Sequence, residues 1–533
     1  MQKDQQLSAD VVVIGGGISG LTAAALLNNV GLKTIVLEQS AQSGGYLAKY
    51  VKNGFSFDTS IHWLNHCNSE GVVSKVFNII GNDFPVASTQ HRIKRFLGKN
   101  FDYILTSNPD DLKNDLIRDF PEDKDGIEKF FHAAKKMTPL FKRFHEYYRT
   151  SDTMNQFEKI KYNLTRLKFA LPFIKFIKYS GKKGKIKGLN RYFKSPVFHE
   201  IFSNEPDLLS CLIPIAWAYN KDFQNPPEDG SQSYPKWLEK KTHELGGQII
   251  NNAKAKKITH KNGRCNSVIF EQKKQKHEIL CSNVIAACDI ISLYEDIMPE
   301  EYSPKKMLKK LKSAELYSSA IVVNISLDCP AEKFGLNEEL IMFNKYELKQ
   351  SNLDNPETPI SHLSVFSQSA RNKGLAPEGK GSLTIIMPTS FESHNRWETT
   401  THENGNIVRG DNYKKLKQKY AEVIIDRLEE FLKNDIRKHI IEYNVATPIT
   451  FWRYTSNYGG SMMGQKPGKK NSMLGVAGYK TPLKGLYISG HWAELGGGVP
   501  IAVKAAYNAA LLVLKERKHK RFKEYVEVIR GKV

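Results

Sequence analysis

Residues 11–38 constrain this 533-residue chain more than any other stretch. Four consecutive apolar residues, Val11-Val12-Val13-Ile14, run into Gly15-Gly16-Gly17-Ile18-Ser19-Gly20, then the small-residue run Thr22-Ala23-Ala24-Ala25, then Thr34-Ile35-Val36-Leu37-Glu38. An unbroken apolar run reads as a strand buried on both faces, and small residues mark where a helix must lie close to it. In such a unit Gly15 permits the tight turn, Gly17 leaves room for a pyrophosphate at the backbone, and Gly20 lets helix and strand approach closely. Free N–H groups at the helix start, around Ile18 and Ser19, hold the phosphates. Glu38, eighteen residues beyond Gly20, sits where a carboxylate accepts from ribose hydroxyls, with Gln39 beside it. The pattern predicts a dinucleotide site. A βαβ unit that keeps its glycines only for close approach is the alternative.

Composition bounds the partners. The length suits two or three domains with a sizeable core. Mean hydropathy is −0.45. The most apolar run, 208–219, is interrupted by Ser210, Cys211 and Pro214 and is too short to span a bilayer. No apolar signal region precedes the first strand, so a cytoplasmic location is expected. Six scattered cysteines without a CxxC pair argue against a disulfide framework or a zinc site, and no metal is expected. The net charge is +22, and residues 159–194 carry twelve Lys or Arg and no Asp or Glu, interleaved with Phe, Ile, Leu and Tyr. Such a mixture suits a headgroup layer, where lysines meet anionic lipid while apolar side chains sink below. The expected partner is a membrane surface, in a peripheral mode, rather than nucleic acid. An acidic carrier protein could use the same charges, and a solvated helix with one face on its own domain is the plain alternative.

Beyond Glu38 come the doublet Gly44-Gly45-Tyr46 and the strand-like Phe57-Asp58-Thr59-Ser60-Ile61-His62. Residues 82–212, rich in Lys, Phe and Tyr at helical spacing, predict a largely helical insertion or lid. Strand-like segments at 248–251 and 282–287 return to the first sheet. Several β-type runs between 317 and 388, with a helix over 413–432, predict a second sheet forming one wall of a substrate cavity. Near the C-terminus Asn457-Tyr458-Gly459-Gly460 and the strand 485–490, ending on Gly490, precede His491-Trp492-Ala493-Glu494-Leu495-Gly496-Gly497-Gly498-Val499-Pro500 and an alanine-rich helix over 501–514.

Taken in order, these segments resemble the flavin-dependent carotenoid and retinoid oxidoreductases: phytoene desaturases, carotenoid isomerases and retinol saturases. In that family a glycine doublet follows the ribose-binding acid, and 57–62 is most similar to the retinol saturase version, with Ser60 in place of a glycine. Tyr46 stands where a basic residue often follows the doublet. The stretch 485–514 is similar to the family's second flavin signature, beside the ring and its polyol chain. The resemblance covers most of the chain but is specific only in these segments. It implies an α/β, two-domain FAD-binding Rossmann-type fold of the glutathione-reductase and amine-oxidase kind, with a β-sheet substrate domain and a helical lid. The FAD-binding domain would comprise 1–81, 213–292 and 451–533 (the last with a basic tail), the lid 82–212 and the substrate domain 293–450. FAD would be held by Gly15, Gly17, Ile18, Ser19, Gly20, Glu38, Gln39, Gly44, Gly45, Ala255, Gly490, Gly497, Gly498 and Val499.

No further GxGxxG offers a nicotinamide site, so electrons are expected to pass to or from an external partner. The resemblance implies hydride transfer between flavin N5 and a carbon of a hydrophobic polyene, which needs alignment and a dry cavity more than many charges. Saturation needs an acid for the second carbon and desaturation a base. His62, Tyr458, His491 and Glu494 are the candidates. Each also has a structural reading: His62 bonding a backbone group, Tyr458 resting on the flavin, Glu494 capping a helix. A redox-neutral cis–trans isomerase and an amine oxidase are the enzyme alternatives. A lipid-partner-binding protein of the GDP-dissociation-inhibitor type is the non-enzyme one.

Overall fold

A computed structural model describes residues 7–142, 148–343, 363–391, 396–401 and 407–529. Parts of the expected lid (143–147) and second sheet (344–362), and the last four residues of the basic tail, lie outside the described residues. The chain opens with β1 (Val11–Ile14), α1 (Ile18–Asn28) and β2 (Thr34–Leu37), all wholly buried. The hairpin β3 (Arg92–Leu97) and β4 (Asp102–Thr106) follows. Helices α2 (Pro109–Asp119), α3 (Lys124–Lys135), α4 (Gln156–Ile177), α5 (Gly181–Leu189) and α6 (Leu208–Tyr219) come next. Then α7 (Ser233–Glu244) leads to β5 (Gln248–Ile250), the meander β6 (Ala253–Lys261), β7 (Arg264–Gln272) and β8 (Gln275–Leu280), and β9 (Asn283–Ala286). The second sheet uses β10 (Ser319–Leu327), β11 (Leu340–Phe343), β12 (Leu363–Phe366), β13 (Gly381–Thr389) and, after α8 (Asp411–Leu432), β14 (Ile440–Ala446). Finally β15 (Leu486–Ile488) and α9 (Val499–Glu516) return to the first sheet.

The first sheet is parallel throughout, in the order β5-β2-β1-β9-β15, with Val12 opposite Ile35 on one side and Val284 on the other. Strands β1, β2, β9 and β15 are buried on both faces, which explains their Val-, Ile- and Leu-rich sequence, whereas the edge strand β5 is partly exposed. Helix α1 lies against both α7 and α9. Gly20 lets α1 press against the turn that follows β1, since a Cβ there would fall 1.9 Å from the Gly15 carbonyl oxygen. The second sheet runs β14-β10-β13-β12-β11-β3-β4, antiparallel except where β11 meets β3. Its core joins Ile321, Val323 and Ile385 to Ile424 and Leu428 of α8.

The 82–212 segment differs from a simple helical insertion. Among its described residues it is largely helical from Pro109 onward, but it opens with the β3–β4 hairpin. Phe96, Tyr103 and Leu105 of this hairpin bury into a core shared with Phe130, Phe202 and Leu212, while β3 pairs in parallel with the distant β11. A register shift between Arg92 and Lys94 interrupts the strand alternation, which is why its period does not read as β.

Candidate functional site

The loops that leave the ends of β1, β2, β9 and β15 surround a cavity of about 550 Å³. Gly15, with φ of +105°, turns the chain under the Ala287 carbonyl, where a Cβ would lie 2.5 Å from the oxygen. Gly17 ends the turn as the N-cap of α1, with no capping side chain, no acid in the first turn, and no atom within 4 Å of where a Cβ would stand. Gly498 is likewise the N-cap of α9, again without a side-chain cap or first-turn acid. Both helix starts border the same cavity. Two uncapped N-termini present free amide N–H groups and the positive ends of two dipoles to one space, a setting for an anion. Ser19 Oγ and Ser489 Oγ, 2.7 Å apart, tie the two signatures together across the chain.

Glu38 is buried at the cavity wall. Its carboxylate accepts hydrogen bonds from the amides of Gly16 and Ser40, both at 2.7 Å, which fixes its direction. Gln39 adjoins it, and Ala255 borders the cavity on β6 beside a bulge between Ala255 and Lys257. Lys254 and Lys256 line the same wall. These lysines went unnoticed in the sequence because they belong to an ordinary alternating strand. Tyr46 does not replace the missing basic residue: its hydroxyl donates to the Ser461 carbonyl at 2.7 Å, and burial pushes its pKa up to about 12.

The far end of the cavity is organised by a residue the sequence did not single out. Asn457 is buried. Its Oδ1 accepts from the Trp492 indole N–H at 2.9 Å, and its Nδ2 donates to the Ser461 carbonyl at 2.7 Å. Because an indole N–H only donates, this contact fixes the amide orientation, and Nδ2 is left with two hydrogens shared among three acceptors, the Ser461 carbonyl and, each at 3.2 Å, Tyr46 Oη and His491 Nε2. Burial lowers the His491 pKa to about 4, which keeps the ring neutral. Asp289, also at the wall, accepts from the amides of Ser292 at 2.9 Å and Tyr458 at 2.8 Å, and burial raises its pKa.

A protein-family model for flavin-containing amine oxidoreductases matches residues 18–514. The chain belongs to that family. As a flavin-containing amine oxidoreductase it is similar to the all-trans-retinol 13,14-reductase of Danio rerio, with 23% identity over 96% of this chain and 86% of the relative. It is equally similar to a 4,4'-diapophytoene desaturase of Methylomonas sp, with 24% identity over 96% of both chains. Among solved structures, a cofactor-binding variant of putrescine oxidase shares its fold, with a TM-score of 0.56 and 12% identity over 96% of this chain and all of that one.

The residues present fit the FAD that this family binds: open space at Gly17, two uncapped helix starts and a buried acid at the end of β2. Gly15, Gly17, Ile18, Ser19, Glu38, Gln39, Gly44, Gly45, Ala255, Gly490, Gly498 and Val499 all line the cavity. Gly20 stands behind it as a contact between α1 and the turn, and Gly497 backs onto Met463, which does line it.

The four proton-transfer candidates separate. His491 lines the cavity. Glu494 does not: it pairs with Lys504 of α9 at 2.9 Å and accepts from Tyr479. Tyr458 rests against the main core, its amide bound by Asp289. His62 lies one residue beyond the cavity-lining Ser60 and Ile61, its ring 4.3 Å from that of Phe366 and its carbonyl accepting from Arg371. Both His62 ring nitrogens are buried without a hydrogen-bond partner, and burial with the Arg371 charge lowers its pKa to about 3. Away from the cavity, Asp328, Cys329 and His439 come within metal-ligating distance, with Asp328 Oδ1 already bonded to His439 Nδ1 at 2.8 Å.

Proposed function

We propose that this flavin-dependent oxidoreductase acts on carbon–carbon double bonds of a hydrophobic polyene of the carotenoid or retinoid type. The observation that carries the reading is the cavity's wall beyond the phosphate-binding turns. Ile61, Met462, Met463, Trp492 and Val499 make it largely apolar, and the polar groups beside them are a neutral His491 with Tyr46, Cys288 and Asp289. Asp289 is engaged by backbone amides and Asp296 is exposed, so neither is placed as a counter-ion for a substrate amine. The similarity to a retinol reductase and a carotenoid desaturase over nearly the whole chain supports the same class.

Bound FAD supplies two-electron, hydride-level oxidoreduction. The chain's own residues do the rest. The N-termini of α1 and α9 hold the anionic parts, Glu38 orients the ribose, and the Met462–Met463 wall keeps water from the reacting carbons. Asn457 and the cavity wall hold the neutral His491 ring in place, and in the saturating direction it relays a proton from solvent, one ring nitrogen taking up a proton as the other gives one. Electrons come from or go to an external partner, and the chain works at a membrane surface.

The test is mass spectrometry of lipid extracts from cells with and without the protein. Gain or loss of two hydrogens on a polyene supports the reading and fixes its direction. An unchanged mass with a shifted isomer ratio points to isomerisation. Polyenes unaltered in both mass and isomer ratio, with an amine consumed instead, would overturn it.

A further inference from the structure

We propose that the outer face of α4 is an in-plane docking surface for an anionic lipid bilayer. This proposal rests on the polyene reading for its purpose, but not for its geometry. Phe157, Ile160, Leu164, Leu167, Leu171 and Ile174 are each more than half exposed. Their 3-4-3-4-3 spacing places all six along one stripe of the helix. The opposite face, including Tyr162, Phe169, Phe173 and Phe176, turns toward the protein and is partly or fully buried. The exposed stripe is therefore additional to the face that anchors the helix.

The occupant follows from the charges beside the stripe. Lys161, Lys168 and Lys175 recur every seven residues along one shoulder, and Lys159 and Arg166 lie along the other. The apolar spacing is that of a coiled-coil seam, so a second copy of this chain is the obvious rival. In an antiparallel pair, however, the shoulder lysines of the two copies would face each other, and in a parallel pair they would meet Asn163, Ala170 and Ile177, none of which is acidic. A partner must bring negative charge on both sides of an apolar strip. An anionic headgroup layer over acyl chains does so, and long lysine stems reach back to it while the stripe is immersed. The basic, acid-free segment continues past α4 through Lys178, Lys182, Lys183 and Lys187, all exposed, which extends the charged surface in two dimensions as a bilayer requires. At 22 residues α4 is about 33 Å long. No helix among the described residues is apolar enough to cross a membrane, so α4 lies along the surface.

The base of the helix is tied to the cofactor cavity. Arg149 pairs with Glu158 in the first turn of α4, and the preceding Tyr148 hydroxyl donates to the Pro500 carbonyl in the first turn of α9. The docking face and the second flavin signature thus form one connected block, which sets the cavity beside the bilayer where an apolar polyene dissolves.

The test is co-sedimentation of the flavin-loaded full chain with phosphatidylcholine vesicles, with and without phosphatidylglycerol. One variant carries Lys161→Gln, Lys168→Gln and Lys175→Gln; another carries Leu164→Gln, Leu167→Gln and Leu171→Gln. The parent is expected to bind the anionic vesicles in a salt-sensitive manner. The lysine variant should lose on the order of a hundredfold in partition, and the leucine variant should lose binding while keeping its flavin spectrum. Parent-like binding by both variants overturns the proposal. So does a parent that ignores both vesicle types but sediments as a dimer that the leucine variant breaks, or that binds only acidic protein. Turnover of a detergent-dispersed polyene by the same variants keeps the two readings apart: retained turnover with lost vesicle binding supports both, whereas no turnover by any form, with vesicle binding behaving as expected, removes only the polyene assignment.

Discussion

Gly17 and Gly20 look alike in the sequence and do different work. Gly17 has an extended backbone, φ −73° and ψ 176°, that any residue adopts, and a Cβ there meets only open cavity. At Gly20 a Cβ would collide with the Gly15 carbonyl at 1.9 Å. Gly17→Val is therefore expected to leave the melting temperature of the flavin-free protein nearly unchanged while lowering FAD affinity at least about tenfold, and Gly20→Val to prevent soluble folding. Equal destabilisation by both would contradict these roles. The histidines make a second prediction. In the folded chain His491 titrates at about 4 and His62 at about 3, against an ordinary 6.5 when unfolded. The unfolded chain therefore takes up these protons first, and stability present above about pH 6.5 is lost as the pH falls toward 4. Each histidine contributes a slope of about 1.4 kcal/mol per pH unit in that window. Denaturant titrations should show the slope flatten in His62→Gln and in His491→Gln; an unaltered acid slope in the double variant would refute the assignment.

Among elements, α1 and α9 were legible because glycine, small residues and helix must coincide there for any dinucleotide to fit. The β3–β4 hairpin was not, because its pairing with β11 is non-local and a register shift between Arg92 and Lys94 breaks its alternation. Its attachment rests on Glu339, fully buried, which accepts from Arg92 Nε at 2.8 Å and Nη2 at 2.9 Å. Glu339→Gln should cost about 2 kcal/mol and raise hydrogen exchange in β3, β4 and β11 while leaving the parallel sheet protected; a uniform increase would count against the hairpin as a separable attachment. Glu494 shows the same limit from the other side. A family signature placed it near the ring, but the residue turns to Lys504 and Tyr479. Glu494→Gln should lower the melting temperature and leave turnover intact, and a collapse of turnover at full flavin loading would return it to the chemistry. Asn457 gave no signal at all, since an asparagine two residues ahead of a glycine pair reads as a turn, and only the folded chain brings Trp492 and His491 to it.

In the whole molecule, residues near the two ends of the chain close one cavity: Gly17 and Gly498 cap neighbouring helices, and Ser19 touches Ser489. That order of segments was readable in advance, whereas the division of 82–212 into a hairpin of the second sheet and a set of helices needed the fold. The central claim is that both signatures bind a single flavin together, and titration of the flavin-free chain with FAD, followed by absorbance and calorimetry, tests it most directly. The account predicts one FAD per chain, with affinity lost both in Gly17→Val and in Gly498→Val. A chain that takes up no FAD, or one whose uptake survives the change at Gly498, would contradict it.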